Sequence, residues 1–347
     1  MLDGVNSTGT NTRMKALLAT CGTILVLALS FGVWVYQAKP KRDLNRKLFD
    51  AVRNGDTETA RLLLAQGANP NIRDMTEEQT NLWQQIKHAF HKDGQMPDDQ
   101  MNNGNRTLLE MAVGLNAYDD QDGKHDPTKE NAPMVKALLD AGARTEDSSF
   151  LHITPLMWAV SYNKLQTVQT LLDHGANPLA KDEMARIPIF FLSHTGTDEL
   201  QIAELLVKLG NDVNAVEYEG ETPLMSIIRG GNGNSKIVQF LIAKGADVNA
   251  RSQFGYCALL DSTSMRKPEL TRILLAHGAE VNVYDHDKNS PLQHAIENES
   301  FQEVEMLLAH GADVNYHNEA GDTALSLAKL RKDKQIVRLL KEAGAER

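Results

Sequence analysis

Aromatic residues are scarce in this sequence, at 5% of its 347 residues, and basic residues are fewer than acidic ones. Lys and Arg number 36 against 46 Asp and Glu, which gives a formal net charge of −10. This balance argues against nucleic acid as the main partner, because phosphate binding requires a basic surface. With so few aromatic side chains, Leu and small helix formers have to supply most of the packing.

Cysteine is nearly absent as well, and the patterns that mark catalytic sites are missing. Cys21 and Cys257 are the only two cysteines, and nothing around them resembles a zinc cluster or a redox pair. No G-x-S-x-G or H-E-x-x-H occurs, and the glycine-rich run 230–234 lacks the Lys-Ser/Thr of a phosphate loop. We therefore predict no enzyme activity, no catalytic residue, no metal, no cofactor and no small-molecule substrate.

One long hydrophobic run lies near the N-terminus. Residues 16–36 contain no charge, and as a helix they would be ~31 Å long, about the thickness of a bilayer's hydrocarbon core. After an N-terminal tail at 1–13, we predict a transmembrane anchor over 14–38, with a cleaved signal peptide as the alternative. Positive charge after the run favours a cytoplasmic side for the rest, whereas a large domain behind a signal-like segment favours export. We expect a single-pass membrane protein with its following domain exported or periplasmic.

A glycine recurs along the rest of the chain at a nearly constant interval. Most of these glycines follow the pattern Leu-Leu-x-x-Gly-Ala. The landmark glycines are Gly67, Gly142, Gly175, Gly210, Gly245, Gly278, Gly311 and Gly344. The first interval is more than twice as long as any other, and it holds one unit together with inserted segments. A period of about 33 residues, as in the other intervals, indicates a stacked repeat architecture.

A second landmark lies at a fixed distance before the glycine in the regular units, as in Thr154-Pro155-Leu156 and Ser290-Pro291-Leu292. Thr or Ser caps a helix N-terminus, and Pro is preorganised for the first helical position. The glycine then ends a second helix in the left-handed conformation. Helices this short cannot bury an apolar face alone, so neighbouring units have to supply the core.

These landmarks resemble the ankyrin-repeat family, whose signature is T-P-L-H-x-A and whose unit is a β-turn plus two helices. The resemblance covers about residues 43–347. It implies an all-α solenoid of about eight units with short β-hairpin fingers, here preceded by the transmembrane helix. We place the first ankyrin unit at 39–71, a second unit with inserts at 72–146, and regular repeats at 147–347.

Several positions depart from the family pattern. Ile187-Pro188-Ile189 stands in place of the capped turn, and the turn at Cys257 loses both cap and Pro, so these helices should start less firmly. Met157, Met225 and Gln293 replace the His of the signature. The resemblance then implies that the hydrogen bonds of that His are absent.

The extra residues of the second unit fall at 72–103 and 114–131. The first insert carries Leu82, Trp83, Ile86, Ala89 and Phe90 at helical spacing, which indicates a helix packed on the solenoid or a partner-docking element. The second, Tyr118–Glu130, is acidic. An EF-hand phasing would put Tyr118 and Lys129 at ligand positions, so we expect a solvated loop rather than a calcium site.

The resemblance implies a non-enzymatic module that binds another protein through finger tips and inner helices. By position, the tip candidates are Tyr218, Phe254, Tyr256, Tyr284, His286, Tyr316 and His317. The candidates in the inner groove are Ser161, Tyr162, His194, Arg229, Met265, Asn298 and Arg331. Two alternatives remain: a dedicated inhibitor or immunity-type protein against a toxin or enzyme acting at the membrane, and an accessory subunit of an enzyme.

Overall fold

A computed structural model describes residues 41, 43–73, 106–114, 131–148, 151–192, 198–230 and 235–346. Throughout these ranges the regular structure is helical and comes in eight pairs. The helices are α1 (43–53), α2 (Thr57–Ala65), α3 (Leu108–Val113), α4 (Ala132–Asp140), α5 (Pro155–Ser161), α6 (Leu165–Asp173), α7 (Glu199–Lys208), α8 (Pro223–Arg229), α9 (Ser235–Ala243), α10 (Ala258–Ser264), α11 (Pro268–Ala276), α12 (Pro291–Glu297), α13 (Phe301–Ala309), α14 (Ala324–Arg331) and α15 (Lys334–Glu342). A 3₁₀ helix, Pro188–Phe191, precedes α7 as the first helix of the fourth pair.

The pairs stack as units 1 to 8, in two rows. First helices contact first helices of the next unit, as in α8, α10, α12 and α14, and second helices do the same, as in α9, α11, α13 and α15. One repeat position fills the space between first helices with a buried leucine. These residues are Leu156, Leu224, Leu259, Leu292 and Leu325. The apolar core therefore runs along the whole stack, and the predicted all-α repeat architecture is confirmed.

Local chemistry sets where each helix begins and ends. The hydroxyl of Thr154 accepts a hydrogen bond from Met157 N at 3.3 Å, and that of Ser290 accepts one from Gln293 N at 3.2 Å. Such caps satisfy amides that have no partner inside the helix. Gly175 and Gly278 follow their helices with φ of +87° and +83°, a region that side chains with a β-carbon rarely adopt.

Fingers with strands were predicted, and that part of the prediction is wrong. The described residues contain no strand, only isolated bridges between Arg73 and Thr107 and between His317 and Thr323. In units 4 to 8, each finger folds as a closed turn in which the first side chain accepts one or two amides from within the loop. Glu217, for example, accepts from Glu219 N at 2.8 Å and from Glu221 N at 3.0 Å. These side-chain bonds accompany a single backbone bond that closes the loop, such as Glu217 N to Glu221 O at 3.1 Å.

The prediction of a single-pass membrane protein, with an exported or periplasmic repeat domain, is likewise corrected. Among the described residues, no helix combines the length and the apolar character that crossing a membrane requires. The predicted anchor at 14–38 lies outside the described residues. The apolar segment Leu82–Phe90 and the acidic segment Tyr118–Glu130 of the two inserts also lie outside them.

An asparagine shortly after most of the landmark glycines ties one unit to the next. Asn282 donates through Nδ2 to Gly311 O at 3.1 Å and accepts from Asp313 N at 2.8 Å. The same pair of bonds is made by Asn71, Asn214, Asn249 and Asn315. After unit 3 this position is Leu179, whose side chain is 45% exposed. This link between units was not predicted from the sequence.

The departures from the family pattern have mixed outcomes. No side chain caps the helix at Ile187 or at Cys257, as expected, and the first of these helices is reduced to a 3₁₀ turn. The prediction about the signature His is wrong for Gln293. Its Oε1 accepts from Ser290 N at 2.9 Å, and its Nε2 donates to Asp322 O at 2.7 Å in the next finger. An amide carries both a donor and an acceptor, so Gln can bridge two fingers.

Candidate functional site

The fingers of units 5 and 6 lie against each other through their backbones. Gln253 N donates to Glu219 O at 2.7 Å, and Gln253 Nε2 donates to Tyr218 O at 2.7 Å. Gly220 makes this approach possible: its φ is +79°, and a β-carbon there would lie 3.2 Å from Gln253 N. A larger residue would push the two fingers apart.

This contact presents aromatic side chains to solvent. Tyr218 is 65% exposed, Phe254 is 54% exposed and Tyr256 is 37% exposed. Together these three residues define what we call the aromatic tip surface. Isolated exposed aromatics are common, but here neighbouring fingers supply three of them, which is typical of an interface with anchoring residues.

The fingers of units 7 and 8 use their aromatics differently. Tyr284 and Tyr316 are half-buried and stack on each other, with ring centroids 4.0 Å apart and planes at 22°. Burial raises the pKa of the Tyr316 hydroxyl. His286 and His317 are exposed beside them. Position in the sequence predicts finger tips for all these residues, but Tyr284 and Tyr316 stack on each other.

Arg229 lies at the base of the aromatic tip surface, in a cluster of charges. Its guanidinium bonds to the carboxylate of Glu221, lies 3.2 Å from that of Asp261, and sits 5.5 Å from the centre of the Tyr256 ring. Lys267 follows on the same side and donates to a backbone carbonyl of α8, that of Ile228. Arg229 therefore orients Tyr256 rather than projecting freely into solvent.

Asp261 is the most buried acid of this cluster. Burial raises the pKa of its carboxyl to about 6, against the lowering effect of Arg229. Glu221 and Asp261 reach Arg229 from the finger of unit 5 and from the first helix of unit 6, so no local motif could have revealed the cluster. Sequence reasoning found only Arg229.

The other groove candidates are spread along the first helices. Tyr162 packs beside Trp158, with centroids 6.0 Å apart, and Lys164 Nζ lies 5.6 Å from its ring. Asn298 is occupied in linking units, because its Nδ2 donates to the carbonyls of Thr263 and Ser264 at 2.9 Å each. Ser161 bonds to Trp158 O, Met265 and Arg331 are exposed, and His194 lies outside the described residues.

Acidic side chains border the aromatic tip surface. Glu219 is exposed in the finger that carries Tyr218, and Glu183 is exposed in the finger before it. Tyr218 N donates to Met184 O at 3.1 Å, which brings these two fingers together. No group of three or more His, Cys, Asp or Glu side chains in the described ranges could hold a metal ion. The site is therefore an apolar surface with an anionic border.

Comparison with known families decides what this array is. A family model of three ankyrin repeats matches residues 190–285 and 264–346, and a model of the single ankyrin repeat matches 48–75 and 152–183. The chain belongs to the ankyrin-repeat family. Ankyrin repeats are scaffolds for interaction and are typically non-enzymatic, so the chain is a protein–protein interaction module.

Related proteins share only part of the chain. An ankyrin repeat protein of Fowlpox virus (strain NVSL) is 33% identical over 135 residues, which cover 36% of this chain and 27% of the viral protein. The "ankyrin repeat, SAM and basic leucine zipper domain-containing protein 1" of Mustela putorius furo is 37% identical over 83 residues, covering 23% of this chain and 18% of that protein. The Mus musculus protein of the same name is also 37% identical over 83 residues, with 23% and 18% covered. The chain thus spans about a quarter or less of these relatives.

Proposed function

We propose that this ankyrin-repeat chain binds a partner protein through the aromatic tip surface formed by Tyr218, Phe254 and Tyr256. The supporting observation is the exposure of these three aromatics on adjoining fingers. Aromatic side chains supply large contact area at little conformational cost, and they dominate the energetics of many interfaces.

The border of the surface supports a partner with cations at the rim of its apolar patch. Glu183 and Glu219 are exposed next to Tyr218, and the chain as a whole has a net charge of −10. Opposite charge at a rim speeds association and favours the correct partner more than it adds affinity. The apolar anchors then carry most of the binding energy.

A site-specific crosslink tests this proposal. A photo-crosslinking amino acid in place of Phe254 should join the full chain to one partner protein in an extract of the source cells. The matched control carries the same amino acid in place of Leu62, which is 63% exposed on α2, far along the array from the surface. Crosslinking of the same proteins from both positions, or from Leu62 alone, would contradict the proposal.

A further inference from the structure

A second surface lies on the last described unit, between α14 and α15. It is a groove of about 610 Å³ lined by Asp333, Arg338 and Glu342 and by five further residues, Lys329, Lys332, Lys334, Lys341 and Val337. All four lysines are exposed, and none forms an ion pair with any residue that the structure describes. We refer to the four lysines and Val337 as the cationic groove.

The segment that forms the groove is basic, whereas the chain as a whole is acidic. Residues 329–342 contain six Lys or Arg and two Asp or Glu, while the whole chain has a net charge of −10. Both acids are already engaged. Asp333 accepts from Gln335 N and Ile336 N at the start of α15, and Glu342 pairs with Arg338 at 2.8 Å. The positive charge of the groove is therefore not balanced locally.

The preceding unit shows which residues occupy the equivalent positions where another unit packs on them. One repeat before Lys329, Val337 and Lys341 lie Ile296, Val304 and Leu308. Ile296 and Val304 are fully buried, and their helices pack on α14 and α15. The last unit keeps the central Val and replaces the flanking apolar residues by lysines. Covering it with an apolar repeat face would desolvate those charges, whereas carboxylates would pair with them.

We propose that the cationic groove binds an acidic polypeptide segment. An apolar side chain of that segment contacts Val337, and its Asp or Glu residues meet Lys332, Lys334 and Lys341. The apolar floor favours a polypeptide over a polyphosphate or an anionic lipid surface, since lysine stems and Val337 offer contact area that such ligands do not use. A groove between two helices also suits an amphipathic helix.

Binding of a defined peptide to the full chain tests the proposal. The probe is a fluorescent amphipathic peptide with a Leu stripe flanked by Glu, and its binding is measured by fluorescence anisotropy. A control peptide carries Gln in place of Glu. The Glu peptide should bind, and its affinity should fall as the salt concentration rises. The triple variant Lys332→Glu, Lys334→Glu and Lys341→Glu should bind it about tenfold more weakly or worse. The charge-matched control Lys181→Glu, Lys208→Glu and Lys244→Glu should bind it like the parent chain.

A substitution at the apolar floor of the groove distinguishes an acidic polypeptide from other anionic ligands. Val337→Thr keeps the shape of the side chain and should weaken the Glu peptide while leaving inorganic polyphosphate binding unchanged. Thermal melts check that both variants fold. Three results would overturn the proposal: equal binding of the Glu and Gln peptides, no difference between the two triple variants, or polyphosphate or anionic vesicles binding as well as the peptide with no effect of Val337→Thr. Because the aromatic tip surface is untouched, failure here would leave the proposed function standing.

Discussion

The fingers of units 5 and 6 and those of units 7 and 8 share a fold but use aromatic residues in opposite ways. In the first region, Tyr218 and Phe254 lie in solvent while the backbones beneath them hold the fingers together. In the second, Tyr284 and Tyr316 stack at 4.0 Å, and this ring contact adds to a backbone bond from Glu319 N to Asp287 O at 3.4 Å. Backbone bonds join the fingers in both regions, which differ in whether the aromatic side chains lie in solvent or stack on each other.

The same contrast extends to the first helices beneath the fingers. Asp261 of unit 6 and His294 of unit 7 occupy the same position in successive repeats. Asp261 pairs with Arg229 of the previous unit, whereas His294 Nε2 bonds to Asp285 of its own finger at 2.8 Å. At this repeat position, the polar side chain therefore links neighbouring units in unit 6 and holds its own finger in unit 7.

The apolar cores should not share this contrast. Leu274→Ala in unit 6 and Leu307→Ala in unit 7 each remove a fully buried side chain, and each should lower the free energy of unfolding by ~2–5 kcal/mol. Urea denaturation measures both. Leu330→Ala, at a position 75% exposed, is the control and should change stability little. A large effect in only one region would show that the two regions differ in their cores as well as in their fingers.

The next effect concerns pH and only the first region. An unfolded Asp titrates near 3.8, whereas the pKa of the buried Asp261 is raised to about 6, so the folded chain binds this proton more tightly. The resulting stability is fully present below about pH 4 and is lost as pH rises through about 6. Across that window the parent chain should lose up to about 3 kcal/mol that Asp261→Asn does not lose.

Unfolding free energies of the two chains measured from acid to neutral pH check this prediction. Glu280→Gln, which alters a carboxylate that is 64% exposed, is the matched control and should follow the parent chain. Parallel curves for the parent and Asp261→Asn would contradict the burial of an acid in this cluster.

The smallest expected effect concerns the asparagine links. Asn282→Ala removes two hydrogen bonds between the segments that follow units 6 and 7, and it should cost ~1–2 kcal/mol. Leu179→Asn offers the same bonds between the segments that follow units 3 and 4, where Leu now stands, and should stabilise the chain by up to about 1 kcal/mol. Thermal unfolding of the two variants compares them directly. Stabilisation by Asn282→Ala, or loss of stability from Leu179→Asn, would show that the links are not what joins the units.

The periodic features of the fold could be predicted because each unit repeats them. The landmark glycines and the Thr-Pro-Leu turns recur in phase, and short helices in phase have to stack. The asparagine links were missed although Asn71, Asn249 and Asn282 recur in the same phase. A single unit read alone suggests only a turn, whereas the partner carbonyl belongs to the next unit. Gln293 was misjudged for the same reason, since its bond to Asp322 crosses between fingers.

The candidate site was harder to predict because it depends on contacts between units. Position alone put Tyr218, Phe254, Tyr284 and Tyr316 into one class of finger-tip residues. Whether a ring is exposed or stacked depends on its neighbour in the next repeat, and the sequence of one finger does not contain that information. Arg229 was predicted as a groove residue from its position, but its ion pairs with Glu221 and Asp261 appear only when units 5 and 6 are brought together.

The most direct test compares how aromatic substitutions in the two regions affect partner binding and how they affect stability. Tyr218→Ala with Phe254→Ala, and Tyr284→Ala with Tyr316→Ala, are each measured by titration with the crosslinked partner and by thermal unfolding. The first pair should weaken binding at least about thirtyfold, because even one anchoring aromatic typically costs ~2 kcal/mol or more, and should leave unfolding nearly unchanged. The second pair should lower stability by ~0.5–1.5 kcal/mol from the lost stacking, together with the lost burial, and should leave binding nearly unchanged. If the first pair melts early and its loss of binding only follows unfolding, or if the second pair abolishes binding in a folded chain, the division between the two regions is wrong.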